Sequence, residues 1–163
     1  MLALGIDPGT AIVGYGLVRE LSDGALQPVH YGVITTRAHT PMWERLEIIY
    51  TELTKIIHTY GPDRAAVEVL FFGKNVTTGI TVAQARGVIL LTLQQAKLPI
   101  HEFKPSEIKQ SLTGYGNADK GQMQEMTRMM LSLESIPKPD DAADALAVAI
   151  TDIHSARFDN IED

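Results

Sequence analysis

Residues 2–16, LALGIDPGTAIVGYG, hold one charged residue, Asp7, within an otherwise apolar or small-residue stretch. Residues 2–6 predict a buried strand, and Asp7 ends it directly before Pro8-Gly9. Proline presets φ and glycine accepts positive φ, so this dipeptide predicts a turn. Residues 14–19, GYGLVR, then predict a returning second strand. A carboxylate in such surroundings is either a turn-capping residue or a functional group held at a rigid strand end.

Further elements follow along the chain in a regular order. Asp23-Gly24 predicts a hairpin turn into a third strand at 29–35. Thr40 is expected to cap a helix that has Pro41 at its first position. Helical spacing of apolar residues extends this helix up to Gly61-Pro62, through Trp43, Leu46, Ile49, Leu53, Ile56 and Ile57. Strands are predicted at 64–70 and 100–103, and helices at 76–97, 105–112, 119–133 and 140–156.

The order βββαβαβααα predicts an α/β fold with a mixed sheet. Three antiparallel strands come first, and two parallel strands are entered through crossovers, which is the order of the ribonuclease-H-like architecture. Helices then cover both faces of the five-stranded sheet. Met123, Met126, Met129 and Met130 are expected to face the core from one helix. We expect one domain over residues 1–157 and a short acidic tail over 158–163.

Composition restricts the classes of function. The chain has 163 residues and a net charge of −6. It has no cysteine, which excludes disulfides and thiolate metal sites. The only basic third is 71–130, with 7 basic and 4 acidic residues, 7 − 4 = +3. The beginning of the chain lacks a basic region followed by a long apolar run. No apolar stretch reads as approaching the ~20 residues of a membrane span. We therefore expect a cytoplasmic protein with no membrane partner.

Carboxylates occur at three places where the surrounding sequence is nearly free of charge. Asp7 ends the first strand, Glu68 interrupts the strand AAVEVLFF, and Asp141 and Asp144 lie in the helix DDAADALAVAI. Positions i and i+3 share one helix face. Asp140 at i−4 from Asp144 also shares it and is an alternative ligand, or a helix cap. Each acid alone has a structural explanation, but the strand order places the first and fourth strands side by side, and the last helix can pack beside them. We therefore expect all four acids to meet at one end of the sheet.

Such a cluster has a definite chemical use. Carboxylates in one pocket repel each other, and divalent cations remove that repulsion. Oxygen-only ligands favour Mg²⁺, with Mn²⁺ as a substitute. Two such ions ~3.5–4 Å apart suit in-line displacement at a phosphodiester. The five histidines are scattered and form no zinc-binding pattern.

Five ordered stretches together resemble the RuvC family of Holliday-junction resolvases, over roughly residues 2–155. They are GIDPGTAIVGYG, AAVEVLFFGKN, AQARGV, EIKQSLTGYGNADKGQM and PDDAADALAVAI. The resemblance implies a homodimer that acts on four-way DNA junctions by two symmetric nicks. It also implies a metal-dependent endodeoxyribonuclease, in recombination and DNA repair, that works beside branch-migration proteins.

Residue roles follow from the same resemblance. Asp7, Glu68, Asp141 and Asp144 match the catalytic, metal-binding acids. Residues expected to contact DNA are Phe71, Phe72, Lys74, Asn75, Lys109 and Lys120. The residues themselves agree in part, since an aromatic pair followed by Gly-Lys favours stacking on bases with a lysine on phosphate. Arg86 is a further DNA-contacting candidate from the basic third.

Three other functions remain as alternatives. A nucleotide-binding fold of the sugar-kinase and actin type also follows a strand with D-x-G-T, although it needs two domains. A non-catalytic junction-binding module would tolerate loss of an acid, and none of the four is missing. An RNA/DNA-hybrid hydrolase is the nearest competitor among nucleases.

Overall fold

The structure is a computed structural model that describes residues 1–70 and 75–159. Its elements are β1 (Leu2–Asp7), β2 (Ile12–Glu20), β3 (Leu26–Thr35), α1 (Met42–Tyr60), β4 (Arg64–Glu68), α2 (Val76–Gln95), β5 (Ile100–Phe103), α3 (Pro105–Thr113), α4 (Lys120–Met130) and α5 (Asp140–Asp159). The predicted order of strands and helices is confirmed. Residues 158 and 159, which we assigned to the tail, continue helix α5.

The five strands form one mixed sheet in the order β3-β2-β1-β4-β5. β1 pairs antiparallel with β2, and β2 with β3. β1 pairs parallel with β4, and β4 with β5. This is the predicted ribonuclease-H-like arrangement of three antiparallel and two parallel strands. Because β1, β4 and β5 are parallel, they all end at the same edge of the sheet.

The sheet separates two hydrophobic cores. One core packs residues of α1 and α2, such as Leu53 and Ile89, against strand side chains such as Leu4 and Val67. The other packs residues of α3 and α5, such as Ile108 and Leu146, against Ala3 and Ala66. Strand residues therefore alternate between the cores, as the period of two in a strand requires. The prediction of helices on both faces is confirmed.

Several predicted details of the helices are wrong. Pro41, not Thr40, holds the N-cap position of α1, and no side chain caps that end. The carbonyl oxygen of Pro41 accepts from the backbone N–H of Glu44 at 3.1 Å, so the helix begins after the proline. α2 ends at Gln95 because Lys97 adopts a left-handed φ of 57°. β4 ends at Glu68 rather than at Leu70.

One residue expected in the core, Met129, lies at the surface, and so does Trp43 of the apolar helical pattern. Trp43 is 75% exposed and Met129 is 57% exposed. Trp43 belongs to the first turn of α1, whereas the buried residues of that helix begin at Ile49. Met123, Met126 and Met130 do pack against the core. Helical spacing predicts a face, but it does not reveal whether a neighbouring element covers that face at every turn.

Helix α2 has the length and mean hydropathy of a candidate membrane span. Val76–Gln95 is long enough to span a membrane and has a mean hydropathy of 1.4. One such helix is weak evidence for a membrane, since core helices of soluble proteins pass the same test. Ala85, Ile89 and Leu93 of this helix are buried in the core. The expectation that no apolar stretch approaches ~20 residues overlooks this helix, which mixes apolar residues with Thr, Gln and Arg. The absence of a membrane partner stays an expectation.

Helix α5 lies unusually close to the sheet because two strand residues lack a side chain. A Cβ atom at Gly5 would overlap the carbonyl oxygen of Ala145 and the backbone nitrogen of Ala149. One at Gly14 would overlap the carbonyl oxygen of Asp141. Backbone-to-backbone contact of this kind leaves no room for any larger residue. It fixes the height of α5 above β1 and β2.

We expect Gly5→Ala to destabilise the fold, since the added methyl group forces α5 away from β1. Overpacking of this kind costs ~1–3 kcal/mol. Urea unfolding followed by circular dichroism measures the change. Gly87→Ala on α2 is the matched control, because its Cβ meets nothing within 4 Å, and helix propensity predicts a gain of ~0.5–1 kcal/mol. Equal unfolding midpoints for Gly5→Ala and the wild type would contradict the packing account.

Candidate catalytic carboxylate site

Asp7 and Glu68 stand at the ends of neighbouring parallel strands. Asp7 is the last residue of β1, and Glu68 is the last residue of β4. The register pairs Ile6 with Val67, so the next residue of each strand is a carboxylate. A strand end inside a sheet is a rigid support, which answers why Asp7 follows a core strand. The predicted pairing of these two acids at one edge is confirmed.

Helix α5 brings its first turns to the same edge. Gly14 pairs with Asp7 across β1 and β2, and the backbone of Asp141 lies directly against Gly14. Asp144 follows one turn later, on the side of the helix that shares a cleft with Glu68. The absence of a side chain at Gly14 therefore positions the acidic end of α5 beside Asp7. All four predicted acids belong to one electrostatic cluster.

Burial and mutual repulsion disturb the protonation of this cluster. Burial raises the pKa of Asp7 to about 8, with further contributions from the negative charges of Glu68, Asp144 and Asp141, against the opposing charge of Lys120. Burial is also the largest cause that raises the pKa of Glu68, followed by repulsion from Asp144. The pKa of Asp144 is raised for the same first reason. Without counter-charge, carboxylates held this way retain protons that ordinary carboxylates release.

Two lysines flank the acids in a cleft of ≈ 200 Å³. Its lining includes Glu68 and Asp144 together with Lys109 and Lys120. Burial still raises the pKa of both acids, but the positive charge of Lys109 opposes the rise at Glu68, and that of Lys120 opposes the rise at Asp144. Both lysines, predicted as DNA contacts, thus stand beside the acids.

Asp140, the alternative ligand, is engaged elsewhere. Its two carboxylate oxygens lie 3.0 Å from Lys120 Nζ and 3.2 Å from Lys138 Nζ. Hydrogen bonds from these lysines hold the pKa of Asp140 below its usual range. Asp140 therefore orients Lys120 at the mouth of the cleft. The sequence offered no sign that Asp140 contacts both lysines. Lys120 is the first residue of α4, whereas Lys138 lies in the loop before α5.

The remaining predicted DNA contacts are placed less clearly. Phe71, Phe72 and Lys74 lie outside the described residues. The Asn75 side chain accepts a hydrogen bond from the Thr78 backbone N–H at 3.3 Å, which caps α2. Arg86 on α2 lies 2.9 Å from Glu102 on β5, and its side chain is largely buried. The structure does not bring Arg86 into the acidic cleft.

The donor set fits a hard divalent cation, although the side chains stand apart. In residues 1–70 and 75–159, no three histidine or acidic side chains converge closely enough to hold one ion. The cluster nevertheless offers carboxylate oxygens alone, which Mg²⁺ and Mn²⁺ prefer. Burial and neighbouring negative charge raise the pKa of Asp7, and a cation bound beside it would lower that pKa again. Asp7, Glu68, Asp141 and Asp144 are the residues that would hold it after side-chain rotation.

A larger groove lies at the opposite end of α5. It measures ≈ 690 Å³ between α3 and α5, and Phe103 and Phe158 are among the residues that line it. No cluster of acids comparable to that of Asp7 lines it. Volume alone does not identify a reaction site, and the smaller cleft carries the perturbed carboxylates.

Comparisons with known proteins agree with this geometry. Residues 3–152 match the family model described as crossover junction endodeoxyribonuclease RuvC. A relative of that name from Heliobacterium modesticaldum is 57% identical over 95% of each chain. The solved Thermus thermophilus RuvC structure superposes with a TM-score of 0.91 at 33% identity, covering 98% of this chain and 97% of that one. Thermus thermophilus RuvC in complex with Holliday junction substrate gives 0.89 at 30% identity, covering 97% and 96%. The chain therefore belongs to the RuvC family of crossover junction endodeoxyribonucleases.

Proposed function

We propose that this protein resolves four-way DNA junctions by two symmetric nicks, each produced by hydrolysis of a phosphodiester at the carboxylate cluster. Membership of the family supports the reaction class. The observation that carries the proposal is the convergence of Asp7, Glu68, Asp141 and Asp144 at one sheet edge. A binding module has no need to gather four partly buried carboxylates at one sheet edge. Such burial is costly unless cations offset it.

The acids are proposed to hold two Mg²⁺ ions, for which Mn²⁺ substitutes. Ions of this kind, when bound, lower the pKa of a water and stabilise the leaving oxygen. The chain's own contribution is positional. The ends of β1 and β4 hold Asp7 and Glu68, and α5 presents Asp141 and Asp144 from above. A buried, rigid cluster limits the number of water molecules that compete for the reacting phosphate.

Lys109 and Lys120 are proposed to contact the DNA backbone next to the scissile phosphate. Both line the cleft that Glu68 and Asp144 share. Asp140 Oδ2 lies 3.0 Å from Lys120 Nζ and so keeps this ammonium near the other acids. Phosphate contacts of this type fix the register of the nucleic acid without reading its sequence. Phe71, Phe72, Lys74, Asn75 and Arg86 stay predictions as further DNA contacts.

The proposed assembly is a homodimer, since a four-way junction has approximate two-fold symmetry. Two sites on a two-fold pair face opposing strands of such a substrate. We further propose that the dimer acts with branch-migration proteins of the same recombination pathway, in the cytoplasm. These proposals rest on the family resemblance rather than on the described geometry.

The proposed function is tested by incubating purified protein with three labelled substrates: a synthetic four-way junction, plain duplex and RNA/DNA hybrid. Each is supplied with Mg²⁺, Mn²⁺ or EDTA. We expect paired nicks in the junction alone, with either cation, and none in EDTA. Preferential cleavage of the hybrid would favour the hybrid hydrolase. Nucleotide-dependent thermal stabilisation without DNA would favour the kinase-like alternative.

Asp7→Asn is expected to abolish cleavage without weakening junction binding. The substitution removes one ligand charge but preserves the size of the side chain and the lysines of the cleft. Since cation stabilisation of the transition state is worth several kcal/mol, the single-turnover rate falls by ~100-fold or more. Asp23→Asn, in the exposed β2–β3 turn, is the matched control and retains full activity. Junction affinity that falls equally in a cation-free gel shift would contradict the ligand role.

Lys109→Ala is expected to weaken junction binding and to reduce its salt dependence. Loss of one phosphate contact lowers the slope of log affinity against log salt by ~1. Fluorescence anisotropy in EDTA at several salt concentrations measures this slope. Lys55→Ala on α1 is the control, because Lys55 Nζ pairs with Glu52 at 2.8 Å on an exposed surface. An unchanged slope for Lys109→Ala would remove this residue from the DNA interface.

A further inference from the structure

A second charged cluster lies at the other end of the same two elements that carry Glu68 and Asp144. Arg64 is the first residue of β4, and its guanidinium forms a bidentate ion pair with the Asp152 carboxylate of α5. Arg64 Nε lies 2.7 Å from Asp152 Oδ2, and Arg64 Nη2 lies 2.8 Å from Oδ1. His101 of β5 joins them, with Nδ1 2.9 Å from Asp152 Oδ1. The cluster therefore connects α5, β4 and β5.

The Arg64–Asp152 pair is shielded from solvent. Asp152 is 0% exposed, and the Arg64 side chain is 14% exposed. A bidentate guanidinium–carboxylate pair has a fixed planar geometry. In a buried setting, neither partner can move away without leaving an uncompensated charge. The pair is thus a stiff mechanical link between helix and strand.

The spacing of residues relates this link to the acidic site. Arg64, Ala66 and Glu68 alternate on β4, so all three lie on one face, and Ala66 packs in the core cluster that includes α5. Four residues of strand separate Arg64 from Glu68 by ~13 Å. Eight residues of helix separate Asp152 from Asp144 by ~12 Å. The two separations are nearly equal. Because Arg64 and Asp152 are joined at one end of β4 and α5, Glu68 and Asp144 lie side by side at the other end.

The direct packing of α5 on β4 fixes this offset less tightly than a bidentate ion pair does. Gly5 and Gly14 set the height of α5, but they belong to β1 and β2. Between α5 and β4 the packed residues are small, such as Ala66 and Ala147. Small apolar surfaces resist separation more than they resist sliding. Among the described residues, Arg64–Asp152 is the one polar link between α5 and β4.

We propose that Arg64 and Asp152 are positioning residues, which set the offset of α5 along β4 and thereby the distance between the Glu68 and Asp144 carboxylates. The inference rests on the proposed function, because it gives these two acids the role of cation ligands. Neither Arg64 nor Asp152 touches the substrate or a bound ion. Their effect passes through the relative placement of helix and strand.

The test separates positioning from stability. The double variant Arg64→Met with Asp152→Leu replaces the pair by apolar residues, which restores stability in many buried pairs. We expect a thermal midpoint near that of the wild type, Mn²⁺ affinity at least fivefold weaker by electron paramagnetic resonance, and a kcat at least tenfold lower with KM for the junction unchanged. Asp152→Glu, which keeps the charge but lengthens the arm, is expected to change affinity and kcat in the same direction. It decides the question if the double variant does not fold.

A second ion pair on α5 supplies the matched control. Arg157 Nε lies 2.6 Å from Glu20 Oε1 and ties α5 to β2, which carries none of the four acids. Arg157→Met with Glu20→Leu is expected to retain wild-type Mn²⁺ affinity and kcat. A double variant at Arg64 and Asp152 that keeps wild-type Mn²⁺ affinity and kcat overturns the proposal. Wild-type protein that binds Mn²⁺ but does not cut junctions would sink the proposed function alone, since Mn²⁺ binding still tests the offset.

Discussion

The contact between the backbone of α5 and the glycines of β1 and β2 is the constraint on which the site depends. A helix that packs through side chains stands away from a sheet by the thickness of those side chains. Here Gly5 and Gly14 let the helix backbone touch the strands themselves. The first turns of α5 therefore reach the edge where β1 and β4 end. Without that close approach, Asp141 and Asp144 would belong to a separate surface.

Close approach has an electrostatic consequence that the rest of the chain has to accommodate. Burial and neighbouring charge raise the pKa of Asp7, Glu68 and Asp144 together. The fold opposes this repulsion by stiffness, through strand ends in a sheet and a helix pinned at both ends. Lys109 and Lys120 provide partial counter-charge at the cleft. The strand ends and the close-packed helix keep these acids near one another in spite of their repulsion, which fits a role in binding cations better than a role in stabilising the fold.

The sequence predicted the sheet order and the four acids because both depend on local patterns and general rules. Strand periodicity, turn residues and the parallel crossover place Asp7 beside Glu68 without knowledge of any particular contact. Met129 was misplaced because helical spacing does not show where a covering element ends, and the exposure of Trp43 has the same cause. The Arg64–Asp152 and Arg86–Glu102 pairs escaped prediction for another reason. Each joins residues far apart in the chain, and only the completed packing selects one partner among many acids. One signal was available for Asp152, an isolated acid in the apolar run AVAITDIH.

A net charge of −6 does not oppose the proposed binding of a polyanion, because charge acts locally in salt. The screening length is ~8 Å at physiological ionic strength, so exposed acids on distant surfaces contribute little at the cleft. The acids of the cleft itself are the serious obstacle, since they repel a phosphate directly. Cations held by those acids, as we propose, would reverse the sign of the local field, to which Lys109 and Lys120 also add positive charge. Under that proposal DNA affinity and cation binding are coupled at this edge, and the lysines become essential for affinity where cations are withheld.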